Sequence, residues 1–276
     1  MEKLMNMTIL LKNNICKLLF ILLILLPISM YAQEQSRESA AVDPTAAQWS
    51  FQLAYENFMD YKETDIRGEG NKGFVQFRLV APIPKGALPL TLLPRLTMRY
   101  VNNAAGDWGF GQSDIFVLGI LQQWASGRWG LGPQINFPSQ EGFGNKNMGY
   151  GLAAAITQRA MDDDLFLALL LQQTWAKNDA LNETKASALG INIVIVYQLG
   201  NGFYVGNGDY VIKYDWDSGN FFVPFGIRFG RAFINPKGTW NAYIEYASSL
   251  LYDEFPGPIA GQSIRVNVQY QIPVSL

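Results

Sequence analysis

The sequence predicts an all-β fold: a closed antiparallel transmembrane β-barrel of about 12 strands, preceded by a cleaved N-terminal signal peptide. Three observations predict it. They are a long two-faced strand at the C-terminal end, an export signal at the N-terminal end, and no helix-length apolar run in the mature chain. A barrel is the remaining way for such a chain to satisfy its backbone hydrogen bonds in lipid.

The C-terminal stretch 264–276 alternates without interruption. Its even positions, such as Val266 and Val268, are apolar, and its odd positions, such as Arg265 and Asn267, are polar or Pro. A period of two puts the two sets on opposite faces of a strand. The stretch exceeds the roughly 5–6 residues of a typical soluble strand and suits a transmembrane strand, which needs about 9–11.

The N-terminal stretch has the layout of a secretory signal peptide. Lys3, Lys12 and Lys17 precede an apolar run at 18–26, and Ala32 is a small residue at the expected cleavage point. The apolar run is too short to cross a bilayer core of about 30 Å as a helix, which argues against a membrane anchor. The predicted division is a signal peptide at 1–32, a loose periplasmic leader at 33–47 and an outer-membrane β-barrel at 48–276.

Composition excludes several functions. The chain has no histidine, and its single cysteine, Cys16, leaves with the signal peptide. Thiolate metal sites and His-based or Cys-based catalysis are therefore excluded, and no acidic cluster has metal-ligand spacing. We expect no enzyme activity, no cofactor and no metal. The mature chain carries 18 basic and 22 acidic residues, a net charge of −4 without a basic patch, so nucleic acid is not an expected partner.

The mature chain divides into alternating segments separated by turn residues. The predicted strands are 49–57, 74–81, 90–101, 113–124, 128–137, 148–158, 165–175, 188–199, 203–216, 221–229, 240–249 and 264–276. The connections after odd strands are mostly long, and those after even strands are short and rich in Gly, Pro or Asp, such as 200–202. This alternation is typical of outer-membrane barrels, whose short turns face the periplasm.

The faces of the strands follow from the same alternation. In 188–199, Ile191, Ile193 and Ile195 share the face predicted to meet lipid. Aromatic residues gather near strand ends, for instance Trp124 and Trp129, as in the aromatic girdles of membrane barrels. For any single Trp, ordinary packing explains its position equally well.

The inward face collects charges of both signs, with Asn and Gln between them. A barrel of eight strands is filled by side chains, whereas 16–18 strands leave an aqueous channel, so about twelve strands predict a narrow lumen. These charges either orient small solutes in a pore or pair with one another and fill the lumen. The candidate lumen-lining residues are Arg78, Arg95, Arg99, Asp209, Lys213, Asp215, Arg228, Glu245 and Arg265.

Several segments resemble a known family. Trp129-Gly130-Leu131-Gly132-Pro133 with Pro138 is similar to the W-x-x-G-P…P segment of the MetA-pathway-of-phenol-degradation proteins of Gram-negative bacteria. The segments 109–114, 172–175, 197–202, 215–216 and 223–226 and the closing strand also resemble that family, in the same order. The resemblance implies an outer-membrane barrel that moves small molecules, aromatic or hydrophobic ones among them.

Two functions follow as expectations. The first is a porin-like outer-membrane channel or transporter for small molecules. The alternative is a plugged, non-transporting barrel that serves as a structural or surface-binding protein. Either barrel would have outer-membrane lipid and the barrel-assembly machinery as partners, and the channel would also have a small-molecule solute.

Overall fold

The computed structural model describes residues 36–86, 89–178, 184–253 and 258–274. These residues form two short helices, α1 (Arg37–Val42) and α2 (Thr64–Arg67). The strands are β1 (Gln48–Lys62), β2 (Gly73–Val80), β3 (Leu92–Asn102), β4 (Trp108–Phe110), β5 (Ser113–Trp124), β6 (Gly127–Phe137), β7 (Gly149–Ala160), β8 (Leu165–Asn178), β9 (Thr184–Gly200), β10 (Phe203–Asn207), β11 (Ile212–Asp215), β12 (Phe221–Asn235), β13 (Gly238–Asp253) and β14 (Ile259–Pro273). Within these ranges, no helix is long and apolar enough to cross a membrane. The predicted signal peptide lies outside the described residues.

The strands form one closed antiparallel barrel. β1 pairs with β2 on one side and with β14 on the other, so no edge is left open at the chain ends. Short β4 continues the line of β5 beside β3, and β10 and β11 both lie between β9 and β12. Counting each of these pairs as one interrupted wall strand, the barrel has twelve strands, which confirms the predicted fold class.

The predicted faces of the strands are also confirmed. On β14, Val266 and Val268 are 49% and 44% exposed on the outside of the barrel, whereas Arg265 and Asn267 are 4% and 1% exposed on the inside. On β9, Ile195 and Tyr197 are exposed and Val194 and Val196 are buried in the lumen. The outer surface is thus an apolar belt, as a lipid-facing wall requires.

The connections at the two ends of the barrel differ in length. At one end, β5–β6, β7–β8, β9–β10 and β12–β13 are joined by tight turns of two to four residues. In the β9–β10 turn, Gly200, Asn201 and Gly202 all have positive φ, which only Gly and Asn adopt readily, as the hairpin signal predicted. This end is the periplasmic one, since short turns of such barrels lie there.

The leader differs from its expected form. We predicted a loose periplasmic segment, but residues 36–47 fold into the periplasmic half of the lumen, and α1 lies against β9, β12 and β13. Ser39, Ala41, Asp43 and Thr45 are each less than 5% exposed. The reason is that the lumen supplies hydrogen-bond partners for the leader backbone, which sequence pattern does not reveal.

Candidate lumen site

The leader forms the floor of the site and is held from several sides. The carbonyl of Ala41 accepts hydrogen bonds from the side-chain amides of Asn241 and Gln271, each at 3.0 Å. The Arg128 guanidinium pairs with Asp43 at 3.2 Å. These partners lie on β13, β14 and β6, so the leader is fixed across the lumen rather than along one strand.

The start of the leader is anchored at the periplasmic rim. The Ser36 hydroxyl caps α1 by accepting from the Ser39 backbone N–H, and the Ser36 backbone N–H donates to Asp163 at 2.9 Å. Arg37 donates to the Asn235 carbonyl at 2.8 Å and to the Thr239 hydroxyl at 3.1 Å. One N–H of the first helical turn is therefore capped, and the start of the helix is tied to the rim.

A break in the wall places an acid at the centre of the lumen. Residues 208–211 interrupt the wall strand between β10 and β11, and the Asn207 side chain hydrogen-bonds to the β9 backbone beside the break. This side chain accepts from the Ile195 backbone N–H at 2.6 Å and donates to the Ile193 carbonyl. The break projects Asp209 inward, so this residue reaches side chains on other strands.

Asp209 bridges the lumen. Its carboxylate lies 3.1 Å from the Arg78 guanidinium and 3.4 Å from that of Arg265. Arg78 lies on β2, and Asp209 lies in the break between β10 and β11. Four wall strands separate them in one direction around the barrel and six in the other, so the ion pair joins nearly opposite walls. Glu245 accepts from the Asp209 backbone N–H at 2.8 Å, and Glu56 lies 3.5 Å from Arg265.

Two of the predicted lumen arginines have no carboxylate partner. Among the described residues, no carboxylate oxygen lies within 4.0 Å of the guanidinium of Arg95 or Arg228, and neither donates a side-chain hydrogen bond. The Arg95 guanidinium lies 4.2 Å from the centre of the Phe116 ring. That of Arg228 lies 5.3 Å from the Tyr243 ring and 6.0 Å from the Tyr204 ring, so aromatic faces stabilise both cations.

The remaining predicted residues lie toward the extracellular end. Arg99 donates to the Gln76 side chain at 3.3 Å. Lys213 is exposed, and it lies opposite Gly190 of β9 and Phe222 of β12 at a position of β11 that faces the lumen. Asp215 does not join the central cluster. Its carboxylate accepts from the backbone N–H groups of Asp217 and Ser218 and so caps the turn after β11.

The lumen has one polar and one apolar wall. On the polar wall, Gln52 donates to Asn267 at 2.6 Å, and Gln269 donates to Ser50 at 2.6 Å. Toward the extracellular end, Gln172 and Thr174 of β8 form a second network with Gln134 and Asn136 of β6. Nearer the leader, the opposite wall, formed by β5, β7, β8 and β9, presents mainly apolar side chains. Its buried members are Phe116, Leu118, Ala153, Ala155, Phe166, Leu170, Val194 and Val196.

We define the lumen chamber as the space between the leader floor and the Asp209 bridge. Its cavity of about 90 Å³ is lined by the charged residues Arg78, Arg95, Asp209 and Arg228 and by apolar residues that include Phe116, Leu170 and Val194. Neither the apolar wall nor the leader floor was predicted from the sequence. The alternation in β9, where Asn192, Val194 and Val196 share one face, is the signal that could have revealed the wall.

No protein-family model matches the chain, and a search of curated proteins finds no match. Solved structures do match. The COG4313 outer membrane channel from Pseudomonas putida F1 superposes with a TM-score of 0.59 at 14% identity, covering 82% of this chain and 95% of that one. The NanC porin gives 0.54 at 10% identity, covering 82% of this chain and all of the other.

The chain has an outer-membrane channel fold. A closed barrel of this kind, with an apolar outer belt, belongs in the bacterial outer membrane.

Proposed function

We propose that this barrel is a channel through which small molecules with aromatic or hydrophobic bodies cross the outer membrane. The observation that carries the proposal is the two-sided lumen chamber. Arginines and amides face an apolar wall across a narrow cavity, which suits solutes that have both a polar group and an apolar body. The resemblance to the MetA-pathway-of-phenol-degradation family favours the same kind of solute.

The leader and the Asp209 bridge constrict the path in series. A solute passing from the extracellular end meets the bridge first, then the lumen chamber, then the leader floor. Conduction therefore depends on displacement of the leader, which is held mainly by side-chain hydrogen bonds and by the Arg128–Asp43 pair.

A plugged, non-transporting barrel is the second candidate. The same two constrictions favour it, because buried salt bridges and an inserted leader also fill a lumen. The two candidates differ in whether the leader moves.

Planar-bilayer conductance of the refolded mature protein separates them. We expect small single-channel steps for the wild-type protein and larger steps for a variant that lacks residues 33–47. The matched control is Glu141→Gln, which changes an exposed extracellular loop and should leave the steps unaltered. Folding is checked by the faster gel migration of unheated protein. Absence of conductance in both folded proteins would support the plugged barrel and overturn the channel.

The partners proposed for the barrel follow from its outer surface. Exposed apolar residues such as Leu53, Tyr150 and Phe225 provide the belt that outer-membrane lipid would cover. We propose that the barrel-assembly machinery inserts the chain and that a small-molecule solute is its remaining partner.

A further inference from the structure

Arg95 is a buried cation with no carboxylate of the described residues in ion-pair contact. Its side chain is 9% exposed, its Nε has no hydrogen-bond partner, and Phe116 provides only an aromatic face. Asp114, on the neighbouring strand, is not within ion-pair distance. Removing a guanidinium from water without a hydrogen-bonding counter-charge is costly, and proteins rarely leave one in this state.

The guanidinium lies at the boundary between charged and apolar surfaces. It lines the lumen chamber together with Arg228, which is also buried and lacks a carboxylate partner. Leu118, Leu170 and Val194 also line the chamber. Arg95 on β3 and Arg228 on β12 lie on nearly opposite walls, so an occupant of the chamber would meet the Arg95 guanidinium with apolar side chains beside it.

We infer that the lumen chamber binds a small monocarboxylate that has an apolar tail. The carboxylate accepts hydrogen bonds from the Arg95 guanidinium, and the tail lies against Leu118, Leu170 and Val194. A planar carboxylate matches the planar fork of a guanidinium that is already stacked on Phe116. This inference rests on the proposed function only in placing the chamber on the solute path, because binding does not require conduction.

The size of the chamber limits the tail. A cavity of about 90 Å³ is smaller than the roughly 150 Å³ cavity that holds benzene in another protein. A short aliphatic acid such as butyrate fits the chamber as it stands, whereas a ring compound such as benzoate requires the leader floor to move. The site therefore favours butyrate over benzoate when the leader is in place.

Saturation-transfer NMR on the protein in detergent micelles tests the site with butyrate as the probe. We expect saturation transfer to butyrate and little to 1-butanol, which has the same tail without the charge. Arg95→Gln should weaken butyrate binding about tenfold or more, since hydrogen bonds to charged groups contribute about 1.5–3 kcal/mol. Arg99→Gln is the matched control, because it removes a cation from the same face of β3 but does not line the chamber.

The outcomes separate this inference from the proposed function. Equal binding of butyrate and butanol by the wild-type protein, or equal loss in Arg95→Gln and Arg99→Gln, would overturn the site. The comparison of butyrate with 1-butanol uses only the wild-type protein, so it tests the site even if Arg95→Gln does not fold. Butyrate binding without any conductance would overturn the channel but support the binding site. Conductance without butyrate binding would support the channel but overturn the binding site.

Discussion

At the scale of single residues, orientation decides what each charge does. Asp209 and Asp215 both appeared as inward acids in the alternating pattern, yet one bridges two arginines and the other caps a turn. The difference arises because Asp209 lies in the wall break at 208–211, which carries it toward the centre of the lumen. Asp215 lies at the strand end, where the nearest donors are backbone N–H groups of the turn.

We expect Asp209→Asn to destabilise the barrel by about 3 kcal/mol, because it leaves Arg78 without its carboxylate and weakens the pairing of Arg265. Urea unfolding in lipid vesicles, followed by tryptophan fluorescence, measures the change. Glu141→Gln serves as the control, since its pair with Lys146 is exposed to solvent and should contribute nothing measurable. An unchanged midpoint for Asp209→Asn would show that the bridge is not a structural element.

The lipid face is tested at Val268. Val268→Arg should lower stability by about 2–4 kcal/mol if the residue lies near the bilayer midplane, because the charge would face hydrocarbon. Val268→Leu at the same position should be nearly neutral. The free energy of unfolding in vesicles gives both values, and similar values for the two variants would mean that this face does not meet lipid.

At the scale of elements, the leader behaves as part of the lumen. Its position depends on contacts with residues about 200 positions away in sequence, among them Asn241 and Gln271. A segment of Ser, Glu, Ala and Pro carries no local sign of such contacts. The interrupted strand β10–β11 is similar, because the repair of its break by Asn207 depends on backbone groups of β9.

We expect the double variant Asn241→Ala with Gln271→Ala to loosen the leader. Two lost hydrogen bonds of about 1 kcal/mol each should raise amide hydrogen exchange of the leader segment 36–47 about tenfold or more. Mass spectrometry of the exchanged peptides measures this. Gln262→Ala, which removes a hydrogen bond on the outer surface, should leave exchange of the leader unchanged. Equal exchange in all three proteins would show that these amides do not hold the leader.

At the scale of the whole molecule, the sequence predicted the wall better than the contents of the lumen. The period of two in segments such as 264–276 fixes which residues face outward, and closure follows from the need to satisfy every strand edge in lipid. What fills the lumen depends on pairings across the barrel, such as that of Arg78 with Asp209, and these have no signature in local pattern. Asn267 is also tightly packed in the narrow lumen, and the alternating pattern does not reveal how deeply it is buried.

We propose that a water-connected path runs through this lumen between a polar and an apolar wall. A chain that begins at residue 33 has no cysteine, so single cysteines at Val194 and Ile195 in that chain can report on the two sides of one strand. The decisive measurement is the rate at which a charged, membrane-impermeant thiol reagent labels each variant in vesicles. We expect Val194→Cys to be labelled, and to be labelled faster when residues 33–47 are deleted. We expect Ile195→Cys to stay unlabelled. If only Ile195→Cys were labelled, the assignment of the two faces of β9 would be wrong. If Val194→Cys stayed unlabelled even without the leader, no water-connected path would run through the lumen.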